Sequence, residues 1–172
     1  MRFRDVIRAD LRANTGRTRL RGALPAFVFH PGFSTIFLHR VAAALVRTPL
    51  DRLGMLIWAW NTRRSGCHLH LDSEIGAGLH LPHPVAVVIG QGVRVGAGVT
   101  VYQSVTLGRS RGDDYPVIGD GATLHPGAIV FGAITVGARA RVGAGAVVMA
   151  DVPAGAAAVG NPARVIRSAP RD

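Results

Sequence analysis

The sequence predicts a mainly β protein: a parallel coil of hexapeptide repeats, preceded by an α-helical segment. Three observations carry this prediction. An aliphatic residue recurs at six-residue steps from Ile75 to Val148, glycine follows it at seven of twelve occurrences, and the first 66 residues keep a helical period instead. The expected divisions are a helical segment over 1–66, the coil over 67–159 and a tail over 160–172.

The helical segment comes first. RFRDVIRADLRAN places Val6, Ile7 and Leu11 on one face with arginines on the others. GFSTIFLHRVAAALVR continues with Phe33, Ile36, Phe37, Val41, Leu45 and Val46 near a 3.6-residue period. Pro31–Gly32 and Thr48–Pro49 supply the breaks. A last, mostly apolar helix is expected over roughly 50–63, packed on a partner surface or lying on a membrane surface.

Charge separates the two parts. Residues 1–66 hold twelve Arg and three Asp, a net +9, whereas the remainder holds eight Arg against seven acids. Every one of the twenty basic residues is Arg. Codon bias is one reading; attraction of the helical segment to an anionic surface, lipid or polyphosphate, is the other. Nucleic acid is not an expected partner, because no base-stacking aromatics are interleaved with the arginines. The longest apolar run, LGMLIWAW at 53–60, is far short of the roughly 20 residues a membrane span requires. No charged-then-apolar leader opens the chain, so the expected location is the cytoplasm, with peripheral contact at the inner face of an anionic membrane left open. The single Cys67 cannot form an internal disulfide and reads as a small buried thiol.

The repeat itself runs Ile75, Leu81, then after a two-residue slip Ile89, Val95, Val101 and Leu107. After an eleven-residue gap come Ile118, Leu124, Val130, Val136, Val142 and Val148. Six residues cannot close a turn of chain, but three such segments form a triangular turn of eighteen. Each aliphatic side chain then points inward and stacks on its equivalents in the neighbouring turns. Gly and Ala recur because the chain must bend tightly at every corner. Stacked turns pair their backbone groups continuously and leave edges only at the two ends. The helical segment is expected to cover one end and the tail AVGNPARVIRSAPRD the other.

These residues resemble the hexapeptide-repeat acyltransferases. QSVTLG (103–108), the loop ending GDDYP (112–116), VGAGAVV (142–148), GNPARVI (160–166) and HPGFSTIFLHR (30–40) are similar to the serine acetyltransferase branch of that family. The resemblance covers roughly residues 30–166. It implies a left-handed parallel β-helix, a homotrimer, and acetyl-CoA as acyl donor with no metal. The opening DLRAN (10–14) looks more like short relatives from exopolysaccharide gene clusters, the colanic-acid acetyltransferases among them.

Acetyl transfer to a hydroxyl needs a base for the hydroxyl proton and a site for the pantetheine arm. His83 lies inside the two-residue slip, and a bulged corner pushes a side chain out of the wall; it also falls where the resemblance places the catalytic histidine, so it is the expected general base. His80 is expected to be structural. Counting segments puts His68 at the same corner as His83, one turn beneath it, where the family carries an orienting Asp; Asp72 or Glu74 is the substitute carboxylate to look for.

RSRGDDYPV (109–117) is too polar for the wall and is expected to project as a loop that contacts the acceptor through Asp113, Asp114 and Tyr115. Asp114 and Tyr115 stand where the serine enzymes carry an Arg-His pair, and an acid in that place would repel the carboxylate of serine. The expected acceptor is therefore a sugar hydroxyl in polysaccharide or glycolipid assembly, with serine as the alternative. For coenzyme A, the resemblance implies a groove along the later turns, with Gly108, Gly143, Ala144 and Gly145 admitting the arm and Arg164 and Arg167 meeting its phosphates. A metal enzyme of the γ-carbonic anhydrase kind is the rival on the same coil, His68-x-His70 being ligand-like, although zinc needs three well-placed ligands.

Overall fold

The computed structural model describes residues 1–17 and 20–166. Four α-helices come first: α1 (Phe3–Thr15), α2 (Ala23–Phe29), α3 (Pro31–Leu45) and α4 (Asp51–Ser65). α1 buries Ile7, Asp10 and Leu11, and stops at Gly16, whose left-handed backbone caps the carbonyl of Arg12. α3 starts on Pro31, where a missing N–H costs nothing. α4 stops on left-handed Gly66, with Arg63 and Arg64 in its last turn answering the helix dipole. Among the described residues, no helix is long and apolar enough to cross a membrane.

From His68 onward the chain winds as a parallel β-helix. The first coil holds β1 (His68–Leu69) and β2 (Glu74–Ile75). The second holds β3 (Val88–Ile89), β4 (Arg94–Val95) and β5 (Thr100–Val101). The third holds β6 (Thr106–Gly108), β7 (Val117–Ile118) and β8 (Thr123–Leu124), and the fourth β9 (Ile129–Phe131), β10 (Thr135–Val136) and β11 (Arg141–Val142). The fifth holds β12 (Val147–Val148) and β13 (Ala157–Val159). β1, β3, β6, β9 and β12 stack as the first face; β2, β4, β7 and β10 as the second; β5, β8, β11 and β13 as the third. Single bridges, His80 to Thr100 and Val136 to Val152, supply the two missing strands. β14 (Arg164–Ile166) folds back antiparallel on β13 and covers the outer edge of the third face.

The hexad register is the register of the core. Eleven of the twelve aliphatic positions are buried, and Ile75 on the first coil is half-buried. Cys67 is buried as well.

The helices close the first coil by hydrogen bonding on all three sides. Trp58 Nε1 donates to the Leu69 carbonyl (2.8 Å) on the first face. Arg40 donates to the carbonyls of Ile75 (2.5 Å) and Gly76 (2.6 Å) on the second. On the third, Asp10 Oδ1 accepts from Gly78 N (2.8 Å) and Leu79 N (3.1 Å), and Asn14 Oδ1 accepts from Leu81 N (3.0 Å). The fully buried Asp10 is in turn paired with Arg40 at 3.0 Å. α3 comes so close here that a Cβ on Gly32 would run into the Leu81 carbonyl and the Asn14 side chain.

Candidate active site

The edge between the third and first faces is built from four stacked turns: residues 82–87, 102–105, 125–128 and 143–146. Three are tight. The lowest carries the two extra residues, and there Pro84 is buried while His83 is exposed. The bulge is held by Val85 N donating to His83 O (2.8 Å) and Ser104 N donating to Val85 O (3.0 Å). Ala86 and Ser104 both take left-handed backbone, with φ of 55° and 60°, which non-glycine residues seldom adopt. The slip therefore does what a bulged corner should: it turns one imidazole outward.

Two further rings continue upward from His83. Tyr102 lies 6.4 Å away, centroid to centroid, tilted by 48°. His125 stacks on Tyr102 at 5.6 Å and only 10° from parallel. Both follow an inward aliphatic residue, Val101 and Leu124, and so point outward. Gly143, Ala144 and Gly145 occupy the same edge on the fourth coil. Three strand spacings place them about 14 Å above His83.

Not every expected residue joins this edge. His68 sits in β1 opposite Val88, five residues past His83, and not in the turn beneath it. Its ring meets Trp58 edge-on at 5.3 Å and His70 at 6.2 Å. Asp72 pairs with His70 (3.7 Å) and Glu74 with Arg94 (3.5 Å), so neither carboxylate reaches His83. Gly108 ends β6 at the loop edge, the wrong side of the first face for a site shared with Gly143–Gly145 in one chain. Arg164 is exposed on β14, and Arg167 lies outside the described residues. His80 is half-buried, and burial lowers its pKa.

The loop is Arg109–Pro116, since Val117 already belongs to β7. It joins the first face to the second, a different edge from that of His83. Asp113 and Asp114 are exposed, in a turn where Asp114 N donates to Arg111 O (3.0 Å). The Tyr115 ring lies over Gly92, where a Cβ would overlap it, and packs on the coil core. Among the described residues no group of three or more His, Cys, Asp or Glu is arranged to hold a metal ion. A surface cleft of about 630 Å³ lies beside Glu74 and Arg94, away from this edge.

Comparison with known proteins agrees with the coil. The serine acetyltransferase of Bacillus pumilus is 37% identical over 149 residues, 85% of this chain and 69% of that protein. The soybean serine acetyltransferase complexed with serine superposes with a TM-score of 0.84 at 35% identity, over 95% of this chain and 69% of that one. A serine acetyltransferase in complex with CoA superposes with a TM-score of 0.81 at 27% identity, over 95% and 69% of the two chains. No family model matches the chain. Fold and relatives together define a hexapeptide-repeat acyltransferase, an enzyme built on a parallel β-helix. Within that class the chain belongs to the serine acetyltransferase family.

This overturns two expectations. The expected kinship with polysaccharide-cluster enzymes and the sugar acceptor both give way, because these relatives and solved structures are serine acetyltransferases. Membrane contact gains no support from these relatives.

Proposed function

We propose that this protein transfers the acetyl group of acetyl-CoA to the hydroxyl of L-serine, with His83 as the general base. The observation that carries the reading is the bulged corner, which holds an exposed imidazole on the same edge as Gly143, Ala144 and Gly145. His83 takes the hydroxyl proton as the serine oxygen attacks the thioester carbonyl. The tetrahedral intermediate collapses with cleavage of the C–S bond, and the imidazolium returns the proton to the departing thiolate. Gly143, Ala144 and Gly145 let the amides of the pantetheine arm approach the backbone, and exposed Arg164 meets its phosphates.

A second copy completes the site. His83 and the 109–116 loop stand on different edges of the triangle, so one protomer cannot bring them together. A contact that sets the loop edge of one copy against the histidine edge of the next joins two different surfaces, and such a heterologous contact forms a ring when its rotation closes. The resemblance to trimeric hexapeptide-repeat acyltransferases makes that ring a trimer, with the donor groove formed between protomers. Serine is a zwitterion, and the loop carries both signs: Asp113 and Asp114 face the ammonium group, Arg111 the carboxylate. Arg109 is drawn to the Gly112 carbonyl (3.2 Å), whereas the Arg111 side chain has no partner among the described residues. Both substrates are cytoplasmic metabolites, which is where this reading puts the enzyme.

The test is thiol release from acetyl-CoA with L-serine, with O-acetylserine identified by mass spectrometry. Serine-dependent release is the expected result. A folded protein that leaves acetyl-CoA intact in the presence of serine removes the proposal.

A further inference from the structure

The edge above His83 carries more unspent chemistry than a wall needs. Among the described residues, no hydrogen bond is made by the hydroxyl of Tyr102 or by a ring nitrogen of His83 or His125. Beside Tyr102, the side-chain oxygen Oε1 of Gln103 is buried with no partner. A buried acceptor without a donor carries a free-energy cost that an arriving N–H group relieves. The two stacked rings are half-buried, on an edge whose fourth turn carries only Gly143, Ala144, Gly145 and Ala146. Aromatic faces of this kind suit the thin, partly apolar chain of a thioester, sulfur included.

We infer that Tyr102, Gln103 and His125 form a platform that delivers the thioester arm of the acyl donor to His83, with Gln103 Oε1 accepting an amide N–H of that arm. The inference rests on the reading of Gly143–Gly145 as the donor groove. An arm that enters there must cross the turns of the third and second coils before its thioester meets His83. The outward side chains on those turns are His125 and then Tyr102 and Gln103. These three are positioning residues: they take no proton in the reaction and act by placing the carbonyl carbon where the serine oxygen attacks.

Two variants, His125→Gly and Tyr102→Leu, remove one ring each; Tyr102→Phe keeps the ring and loses only the hydroxyl. CoA binding is titrated calorimetrically without acceptor, and steady-state kinetics are run with acetyl-CoA and L-serine, after circular dichroism and melting show each variant folded. Each ring deletion is expected to raise the Kd for CoA and the KM for acetyl-CoA about tenfold, with the KM for serine held within twofold. Tyr102→Phe is expected to bind CoA as the wild type does. Folded ring-deletion variants with unchanged Kd and KM overturn the platform while leaving the proposed reaction intact. A wild-type protein that binds no CoA overturns both.

Discussion

Replacement of Asp10 by Ala tests how the helical segment holds the coil. Asp10 is fully buried, pairs with Arg40 at 3.0 Å and accepts the N–H groups of Gly78 and Leu79. The change strands a guanidinium that is only 12% exposed and leaves two backbone donors without their acceptor. Removing one partner of a buried pair costs about 3–5 kcal/mol. For a chain of this size each kcal/mol moves Tm by roughly 2–4 °C, so a fall of roughly 6–20 °C is expected. Urea unfolding, at one protomer concentration for all variants because assembly contributes to apparent stability, gives the free energy directly. The double variant Asp10→Ala with Arg40→Met removes the stranded charge and should recover part of the loss. An Asp10→Ala protein within about 1 kcal/mol of wild type would refute the reasoning that this pair closes the first coil.

Two further outcomes are expected. His39 is buried with its Nδ1 unpartnered, and burial, with the neighbouring Arg40 charge, lowers its pKa from 6.5 to about 4. Above pH 6.5 both states are neutral at this group and stability does not vary with its titration; as pH falls from 6.5 towards 4 the unfolded chain binds the proton first. Stability is therefore lost in that window, by up to roughly 3 kcal/mol. Urea unfolding at pH 7.5 and 4.5 should show the loss in wild type and a smaller one in His39→Leu; equal losses would contradict it. Gly92→Ala should cost about 1–3 kcal/mol by displacing the Tyr115 ring, and close to nothing in a Tyr115→Ala background. A cost that persists without the ring would show that Tyr115 is not what Gly92 accommodates.

The coil was legible because its inward position repeats: once Ile75 is aligned with Val148, the stacked core follows residue by residue. Ile75 itself is less buried because a helix and the Arg40 side chain, not another coil, lie beneath it. The cap was not legible. Asp10 and Arg40 stand thirty residues apart on helices whose spacing shows only that they are amphipathic. The bulge at His83 was visible as an eight-residue step among sixes, but the placement of His68 failed because position within a strand and position within a turn were treated as one count. Tyr102 and His125 went unnoticed as a pair, although the residues after Leu81, Val101, Leu124 and Val142 on the third face read Pro, Tyr, His, Gly, and aligning them would have shown the rings in file. The acceptor was not legible in Asp114 and Tyr115, the two loop positions that differ from the serine enzymes' Arg-His pair. The loop as a whole carries two arginines and two aspartates, the two signs that the proposed serine acceptor would need.

The most direct measurement is the kcat of His83→Ala with acetyl-CoA and L-serine, alongside its CoA affinity. An outward imidazole serving as the base predicts a fall in kcat of about 10²–10⁴-fold with CoA affinity unchanged. Turnover at the wild-type rate in that variant would contradict it.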